Sequence, residues 1–255
     1  MALIHIDHVP ESVKVNLPLN VIVPDPGRMK EVPVRQRKVL YLLHGLSDDA
    51  SAWQRYSCVE TFANQYGLVV IMPSVGRSMY IDQPNGQRYF TYLIDELPVY
   101  LEQVFGIPAR RENTLIAGVS MGGYGAMKAA FLHPERFFAA ASFSGVLSFA
   151  ILGLLTPERK TEFEHLFGDL ARVPGSQHDP ATWIKTAASH PKGLPRLYVY
   201  AGRQEDVYPL SLQFTAACRG QGIAVHYHEA EGTHTWPYFN KQLQRFLAQV
   251  LKPIQ

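Results

Sequence analysis

The chain has 255 residues, 47% of them hydrophobic, which is enough apolar surface for one substantial core. Charged residues make up 18%, and the formal net charge of +2 argues against nucleic-acid and anionic-membrane partners. The two cysteines are far apart in sequence, so neither a disulfide framework nor a zinc site is indicated, and we expect no metal and no cofactor. No signal peptide or long apolar segment stands out, which predicts a cytoplasmic protein with a small-molecule partner. The oligomeric state stays open, with a homo-oligomer as one alternative.

The elements predicted along the chain alternate between strands and helices. Residues 1–24 alternate polar and apolar positions, with prolines at the ends, which predicts antiparallel strands at a sheet edge. Short apolar runs then predict buried strands at residues 39–43, 68–72, 114–117 and 196–200. Helical patterns lie at residues 58–66, 92–105, 121–133, 210–221 and 236–251. This order predicts an α/β protein with a mostly parallel sheet and helices on both faces.

One segment breaks the alternation. Residues 147–190 contain scattered prolines and a helical pattern around residues 157–167, but no obvious strand. We interpret the segment as a cap-like insertion that roofs the site. No linker or repeat marks a second domain, so residues 1–255 are predicted to form one domain.

A G-x-S-x-G pentapeptide stands between a predicted strand and a predicted helix. At such a turn the serine backbone is strained, and small neighbours such as Gly118 and Gly122 leave room for it. The turn exposes the hydroxyl of Ser120 at a helix N-terminus, where developing negative charge is favoured. We therefore predict Ser120 as a nucleophile and the backbone N–H of Met121 as an oxyanion donor. A glycine-rich turn that only packs tightly is the alternative.

A nucleophilic serine needs a base and an orienting acid further along the chain. His234 is the predicted base, because it follows a predicted strand at residues 225–229 and precedes a helix. Two acids compete in the loop after residues 196–200. We prefer Asp206, whose short side chain suits the fixing of an imidazole, and Glu205 remains the alternative. Asp206 as the N-cap of the following helix is the non-catalytic interpretation.

A tight turn, His44-Gly45-Leu46, follows the strand at residues 39–43. A backbone N–H in such a turn can face an oxyanion, and Leu46 is the predicted second donor. His44 is expected to support the loop through hydrogen bonds and not to act on the substrate.

Aromatic residues near these loops could line a pocket. Trp53, Tyr80 and Trp236 are the candidates for substrate binding, with core packing as the alternative for each. His226 and His228 share one strand face at a spacing that could hold a metal. We expect these two side chains to pack on the strand surface and not to bind a metal.

The same stretches resemble the esterase D-like branch of the α/β-hydrolases, and within it the tributyrin esterase (EstA-type) carboxylesterases. The matching residues are 41–53, 76–82, 118–126 and 232–236. The resemblance implies an α/β-hydrolase fold with a twisted sheet of about eight strands. It also implies hydrolysis of short-chain acyl esters through an acyl-enzyme intermediate. The residue roles it implies are nucleophile Ser120, acid Asp206, base His234, and oxyanion donors Leu46 and Met121.

The chain departs from the family pattern in two places. Residues 201–206 are one residue longer than the usual glycine-to-aspartate spacing, which keeps Glu205 open as the acid. S-formylglutathione hydrolases, which are relatives, carry a cysteine where this chain has Ser-Asp-Asp at residues 47–49, so thioesterase activity is the less favoured alternative. Acyl transfer to an alcohol or sugar, as in the related mycolyltransferases, would use the same three residues. A non-catalytic binding protein on this fold is the alternative of another class.

Overall fold

The computed structural model of the protein describes residues 1–25, 27, 32, 36–84, 86–107 and 109–254. Within these ranges, eight strands form one sheet. They are β1 (Ala2–His8), β2 (Leu17–Val23), β3 (Lys38–Leu43), β4 (Leu68–Pro73), β5 (Thr114–Val119), β6 (Ala139–Phe143), β7 (Arg196–Gly202) and β8 (Val225–Ala230). The strand order is β1-β2-β4-β3-β5-β6-β7-β8.

The direction of the strands matches the prediction from the sequence. β2 pairs antiparallel with both β1 and β4, and every other neighbouring pair in the sheet is parallel. The mostly parallel sheet of about eight strands is therefore confirmed, and so are the antiparallel edge strands at the N-terminus.

Helices pack on both faces of this sheet. The α-helices of the described residues are α1 (Ala52–Tyr56), α2 (Val59–Tyr66), α3 (Tyr89–Thr91), α4 (Leu97–Phe105), α5 (Met121–Leu132), α6 (Pro157–Phe167), α7 (Pro180–Ala187), α8 (Tyr208–Gly220) and α9 (Trp236–Val250). A π-helical turn at Tyr92–Glu96 joins α3 to α4. All five predicted helices are present. The segment 147–190 contains α6 and α7 and no strand.

The sheet separates two apolar clusters, and the side chains of β3 alternate between them. Val39, Tyr41 and Leu43 pack into one cluster, which also contains residues of α4, α5, α7 and α8. Leu40 and Leu42 pack into the other cluster, with residues of α1, α2 and α9. Successive side chains of a strand point to opposite faces, so a strand covered on both faces must be apolar throughout. This is why the buried strands appear in the sequence as continuous apolar runs.

The parallel strands bring four loops to one edge of the sheet. Strand ends are aligned by a register that pairs Leu43 with Gly118 and Phe143 with Tyr200. The loops after β3, β5, β7 and β8 carry all the predicted catalytic and oxyanion residues. In open parallel sheets, ligands bind in the crevice beyond the carboxyl ends of the strands.

One lysine lies inside this fold. Lys128 of α5 is only 2% exposed, with its Nζ 4.0 Å from the centroid of the Phe90 ring. The Nζ also donates a hydrogen bond to the backbone oxygen of Tyr80 at 3.3 Å. Burial lowers the pKa of Lys128 to about 7, although the negative charge of Asp82 acts in the opposite direction.

From the lowered pKa of Lys128 we predict how the free energy of unfolding depends on pH. The unfolded chain keeps the lysine proton up to about pH 10.4, whereas the folded protein releases it near pH 7, so stability rises with pH across that window. Between pH 7 and pH 9 the free energy of unfolding should increase by about 2 kcal/mol more in the wild type than in Lys128→Met. Urea denaturation of both proteins at the two pH values measures the difference. An equal pH dependence of the two proteins would contradict a neutral buried lysine.

Candidate active site

Ser120 occupies a strained turn between β5 and α5. Its φ is 53° and its ψ is −116°, a conformation that a residue with a Cβ adopts only at a cost. The N–H of Ser120 donates to the backbone oxygen of Phe143 at 2.9 Å, and the N–H of Tyr124 donates to the oxygen of Ser120 at 3.1 Å. The turn is thus held from both sides, and the serine side chain is left half-buried at the strand end.

The glycines of the pentapeptide allow this turn to pack closely. A Cβ on Gly118 would lie 2.4 Å from the carbonyl carbon of Gly122. A Cβ on Gly122 would lie 2.6 Å from the backbone oxygen of Leu43. Neither contact is compatible with a side chain, so both positions require glycine for steric reasons.

The turn after β3 lies beside Ser120. A Cβ built on Gly45 would be 3.5 Å from Cγ2 of Val119 and 3.7 Å from Cβ of Ser120. Leu46 and Met121, the predicted oxyanion donors, line the same cavity as Ser120. The structure therefore brings together the predicted nucleophile and both predicted donor residues.

His44 holds this turn in place. The N–H of Val75 donates to Nε2 of His44 at 3.1 Å, which leaves the imidazole proton on Nδ1. Nδ1 lies 2.7 Å from the backbone oxygen of Gly45 and donates to it. Burial lowers the pKa of His44, so the neutral form is favoured. These bonds give His44 the loop-supporting role predicted from the sequence.

Two aromatic residues predicted to line the pocket lie in the core instead. Trp53 is 1% exposed, and its indole N–H donates to the backbone oxygen of Leu43 at 3.0 Å. Tyr80 is fully buried, and its hydroxyl donates to the backbone oxygen of His44 at 3.2 Å. Both side chains donate to backbone oxygens at the end of β3 and so satisfy carbonyl groups in the protein interior. Of the three aromatic candidates, Trp236 lines the cavity.

His234 faces a carboxylate, but the carboxylate belongs to Glu205. Nδ1 of His234 lies 3.4 Å from Oε2 of Glu205, whose side chain is completely buried. Asp206 is exposed and lines the cavity wall. Val207, not Asp206, is the N-cap of α8. The structure thus corrects the preference for Asp206, because neighbouring side chains in this turn diverge and the longer glutamate points inward to the histidine.

Further contacts hold the loop after β7, which carries Glu205, in place beside the loop after β8, which carries His234. The N–H of Gln204 donates to the backbone oxygen of Gly232 at 3.2 Å, and the N–H of Gly232 donates to Oε1 of Gln204 at 2.5 Å. The hydroxyl of Ser144 donates to Oε1 of Glu205 at 2.7 Å. Sequence reasoning missed both Gln204 and Ser144, since neither lies in a recognisable motif.

The four loops and the 147–190 segment enclose a cavity of about 740 Å³. Ser120 and His234 both line it, and His234 is 40% exposed, so a substrate can reach the imidazole. Apolar side chains of the 147–190 segment that contribute to its wall are Ile151, Leu155 and Phe163. Its charged lining residues are Asp48, Arg159 and Asp206. The volume falls in the range of small-molecule sites.

His226 and His228 pack against β7. The ring of His226 stacks on Tyr198 with centroids 4.6 Å apart, and His228 meets Tyr200 edge to face at 6.0 Å. In the part of the chain that the structure describes, no three His, Cys, Asp or Glu side chains are grouped as metal ligands. No helix among those residues is long and apolar enough to cross a membrane.

The sheet, the strained serine after β5 and the histidine facing a buried carboxylate define an α/β-hydrolase of the serine hydrolase class. A family model described as "Putative esterase" matches residues 12–250, so the chain belongs to this esterase family. It is a carboxylic ester hydrolase.

Known proteins that the chain is similar to include both hydrolases and acyltransferases. An acetyl esterase of Caldicellulosiruptor saccharolyticus is 28% identical over 95% of this chain and 96% of its own. Ag85B of Mycobacterium avium, a diacylglycerol acyltransferase/mycolyltransferase, is 28% identical over 87% of this chain and 78% of its own.

Two solved structures from Staphylococcus aureus are each 30% identical and cover 98% of this chain. The fluorophosphonate-binding serine hydrolase FphF has a TM-score of 0.89, with 98% of its own chain covered. The S-formylglutathione hydrolase FrmB has a TM-score of 0.88, with 99% of its own chain covered.

Proposed function

We propose that the protein is a serine carboxylesterase that hydrolyses short-chain acyl esters through an acyl-enzyme intermediate on Ser120. The observation that carries the proposal is one cavity onto which Ser120 and His234 both open, with a buried Glu205 behind the histidine. A nucleophile, a base and an orienting acid in this order are what ester hydrolysis by serine requires.

In the proposed mechanism, Ser120 attacks the ester carbonyl carbon while His234 accepts the hydroxyl proton. The backbone N–H groups of Leu46 and Met121 stabilise the negative oxygen of the tetrahedral intermediate. The intermediate collapses as His234 passes the proton to the leaving alcohol. Water, deprotonated by His234, then attacks the acyl carbon. The bond to the Ser120 oxygen breaks as His234 returns the proton to it, which releases the carboxylic acid and restores the enzyme.

Glu205 is the proposed acid, in place of Asp206. A buried carboxylate next to Nδ1 holds the imidazole in one orientation and stabilises the imidazolium that forms during attack. Glu205 meets this requirement through its contact with Nδ1 and its complete burial. Asp206, by contrast, is exposed at the cavity wall.

A short acyl chain is the proposed substrate preference. It is supported by the similarity to an acetyl esterase and by the resemblance of residues 41–53, 76–82, 118–126 and 232–236 to the tributyrin esterases. We expect hydrolysis of p-nitrophenyl esters to be fastest between acetate and butyrate in a series that extends to palmitate. Initial rates at matched concentrations below the solubility limit of palmitate measure this preference. An optimum at palmitate would contradict the short-chain proposal but not the esterase itself.

Two other acyl substrates use the same residues. The similarity to FrmB supports a thioesterase that acts on S-formylglutathione, and kcat/KM for that thioester against p-nitrophenyl acetate compares the two activities. The similarity to Ag85B supports transfer to an alcohol acceptor. Product analysis with added glycerol or an added sugar would detect the transferred acyl group. Three further statements remain predictions from the sequence: that residues 147–190 form a cap, that residues 1–255 form one domain, and that the protein is cytoplasmic.

A further inference from the structure

Ser144 is a second strained serine at the same edge of the sheet. It directly follows β6 and has a φ of 53°, in the left-handed region that favours glycine. Its side chain is completely buried, and its N–H donates to the backbone oxygen of Tyr200 at 2.8 Å. Strain at a residue with a Cβ is typical of functional sites, where the surrounding structure maintains it.

The hydroxyl is what serine adds at this position. Glycine adopts a positive φ more easily than serine, so the backbone conformation by itself does not call for a side chain. The hydroxyl of Ser144 donates to Oε1 of Glu205 at 2.7 Å, and both groups are buried. A hydrogen bond to a carboxylate is among the stronger bonds in a protein interior.

The two oxygens of Glu205 therefore have different partners. Oε1 accepts from Ser144, and Oε2 lies next to Nδ1 of His234. A glutamate has one more rotatable bond than an aspartate, so its carboxylate needs a further contact to stay in one orientation. The bond to Ser144 restricts rotation of the carboxylate group and keeps Oε2 directed at the imidazole.

We propose that Ser144 is a positioning residue that orients the Glu205 carboxylate toward His234. This inference rests on the proposed function, since it gives Ser144 a role only if Glu205 is the acid of the triad. Ser144 acts through Glu205 and does not touch the substrate. Its removal should therefore slow the chemical step without weakening substrate binding.

The test compares Ser144→Gly and Ser144→Ala with the wild type in p-nitrophenyl acetate hydrolysis. Both variants lose the hydroxyl, while only glycine relieves the backbone strain. We expect both to lower kcat by about 10- to 100-fold, the effect of losing one hydrogen bond to a charged group, with little change in KM. Ser144→Gly should unfold at a higher temperature than Ser144→Ala, because both lose the same hydrogen bond and only glycine relieves the backbone strain. Wild-type kcat in a folded Ser144→Gly protein would overturn the proposal.

Ser142→Ala is the matched control. Ser142 lies in β6, two residues before Ser144, and is also completely buried, and its hydroxyl has no hydrogen-bond partner among the described residues. Its kcat should equal that of the wild type. A loss in Ser142→Ala as large as in Ser144→Ala would indicate a general effect of changing the end of β6 and the residue after it, and would overturn the specific role of Ser144.

A double-mutant cycle with Glu205→Gln tests whether Ser144 acts through the acid. If it does, Ser144→Gly should cause almost no additional loss of kcat once Glu205 is replaced. Losses that multiply would mean that Ser144 acts independently, and would overturn the proposal. Wild-type activity in Glu205→Gln alone would instead overturn the proposed triad, which separates that failure from a failure of the role of Ser144.

Discussion

Replacing Ser120 with alanine should lower kcat for p-nitrophenyl acetate by about 10⁶-fold, because no other group in the proposed mechanism can form the acyl-enzyme. Labelling with a fluorophosphonate probe should disappear in the same variant. Intact-protein mass spectrometry should show one added probe on the wild type, and peptide mapping should place it at Ser120. Residual hydrolysis above about one thousandth of the wild-type rate, after repurification, would contradict the assignment of the nucleophile.

Ser120→Gly is the control for the fold. Like alanine, glycine removes the hydroxyl, but it adopts a φ of 53° without the strain that a Cβ causes. We expect Ser120→Gly to be as inactive as Ser120→Ala and to be more stable than the wild type by about 1 kcal/mol in denaturant unfolding. If Ser120→Gly is inactive but more stable than the wild type, the loss of activity results from the missing hydroxyl and not from damage to the structure.

Glu205→Gln should lower kcat by about 10⁴-fold, whereas Asp206→Asn should leave it nearly unchanged. The amide is nearly the same size as the carboxylate but carries no negative charge, so it cannot stabilise the imidazolium of His234. Asp206 is exposed and does not take part in this pairing. Steady-state kinetics of the two variants on p-nitrophenyl acetate measure the contrast.

The two acids are adjacent, which makes each the natural control for the other. A large loss in Asp206→Asn together with a small loss in Glu205→Gln would reverse the assignment and restore the preference from the sequence. Glu205→Asp provides a finer test of geometry. It keeps the charge but shortens the side chain by one methylene, and a displacement of about 1 Å in a catalytic group can cost about 100-fold in rate. We expect Glu205→Asp to lie between Glu205→Gln and the wild type.

Much of the fold could be predicted because the relevant signals are local. A strand buried on both faces has to be apolar along its length, as residues 68–72 are. β6 was missed because its sequence, Ala-Ala-Ala-Ser-Phe, contains no β-branched residue and is rich in a helix-forming one. It becomes a strand because β5 and β7 supply hydrogen-bond partners on both sides. That preference exists only after the neighbouring strands have assembled.

The sequence by itself determined the parallel α/β architecture and the positions of Ser120 and His234. Each of these two residues lies in a turn between a strand and a helix, and the backbone geometry of such a turn depends on a few neighbouring residues. Only the tertiary structure decided that Glu205 pairs with the histidine and that Ser144 contacts Glu205. These choices depend on side-chain directions in loops from different strands, which become defined only when the sheet aligns the strand ends.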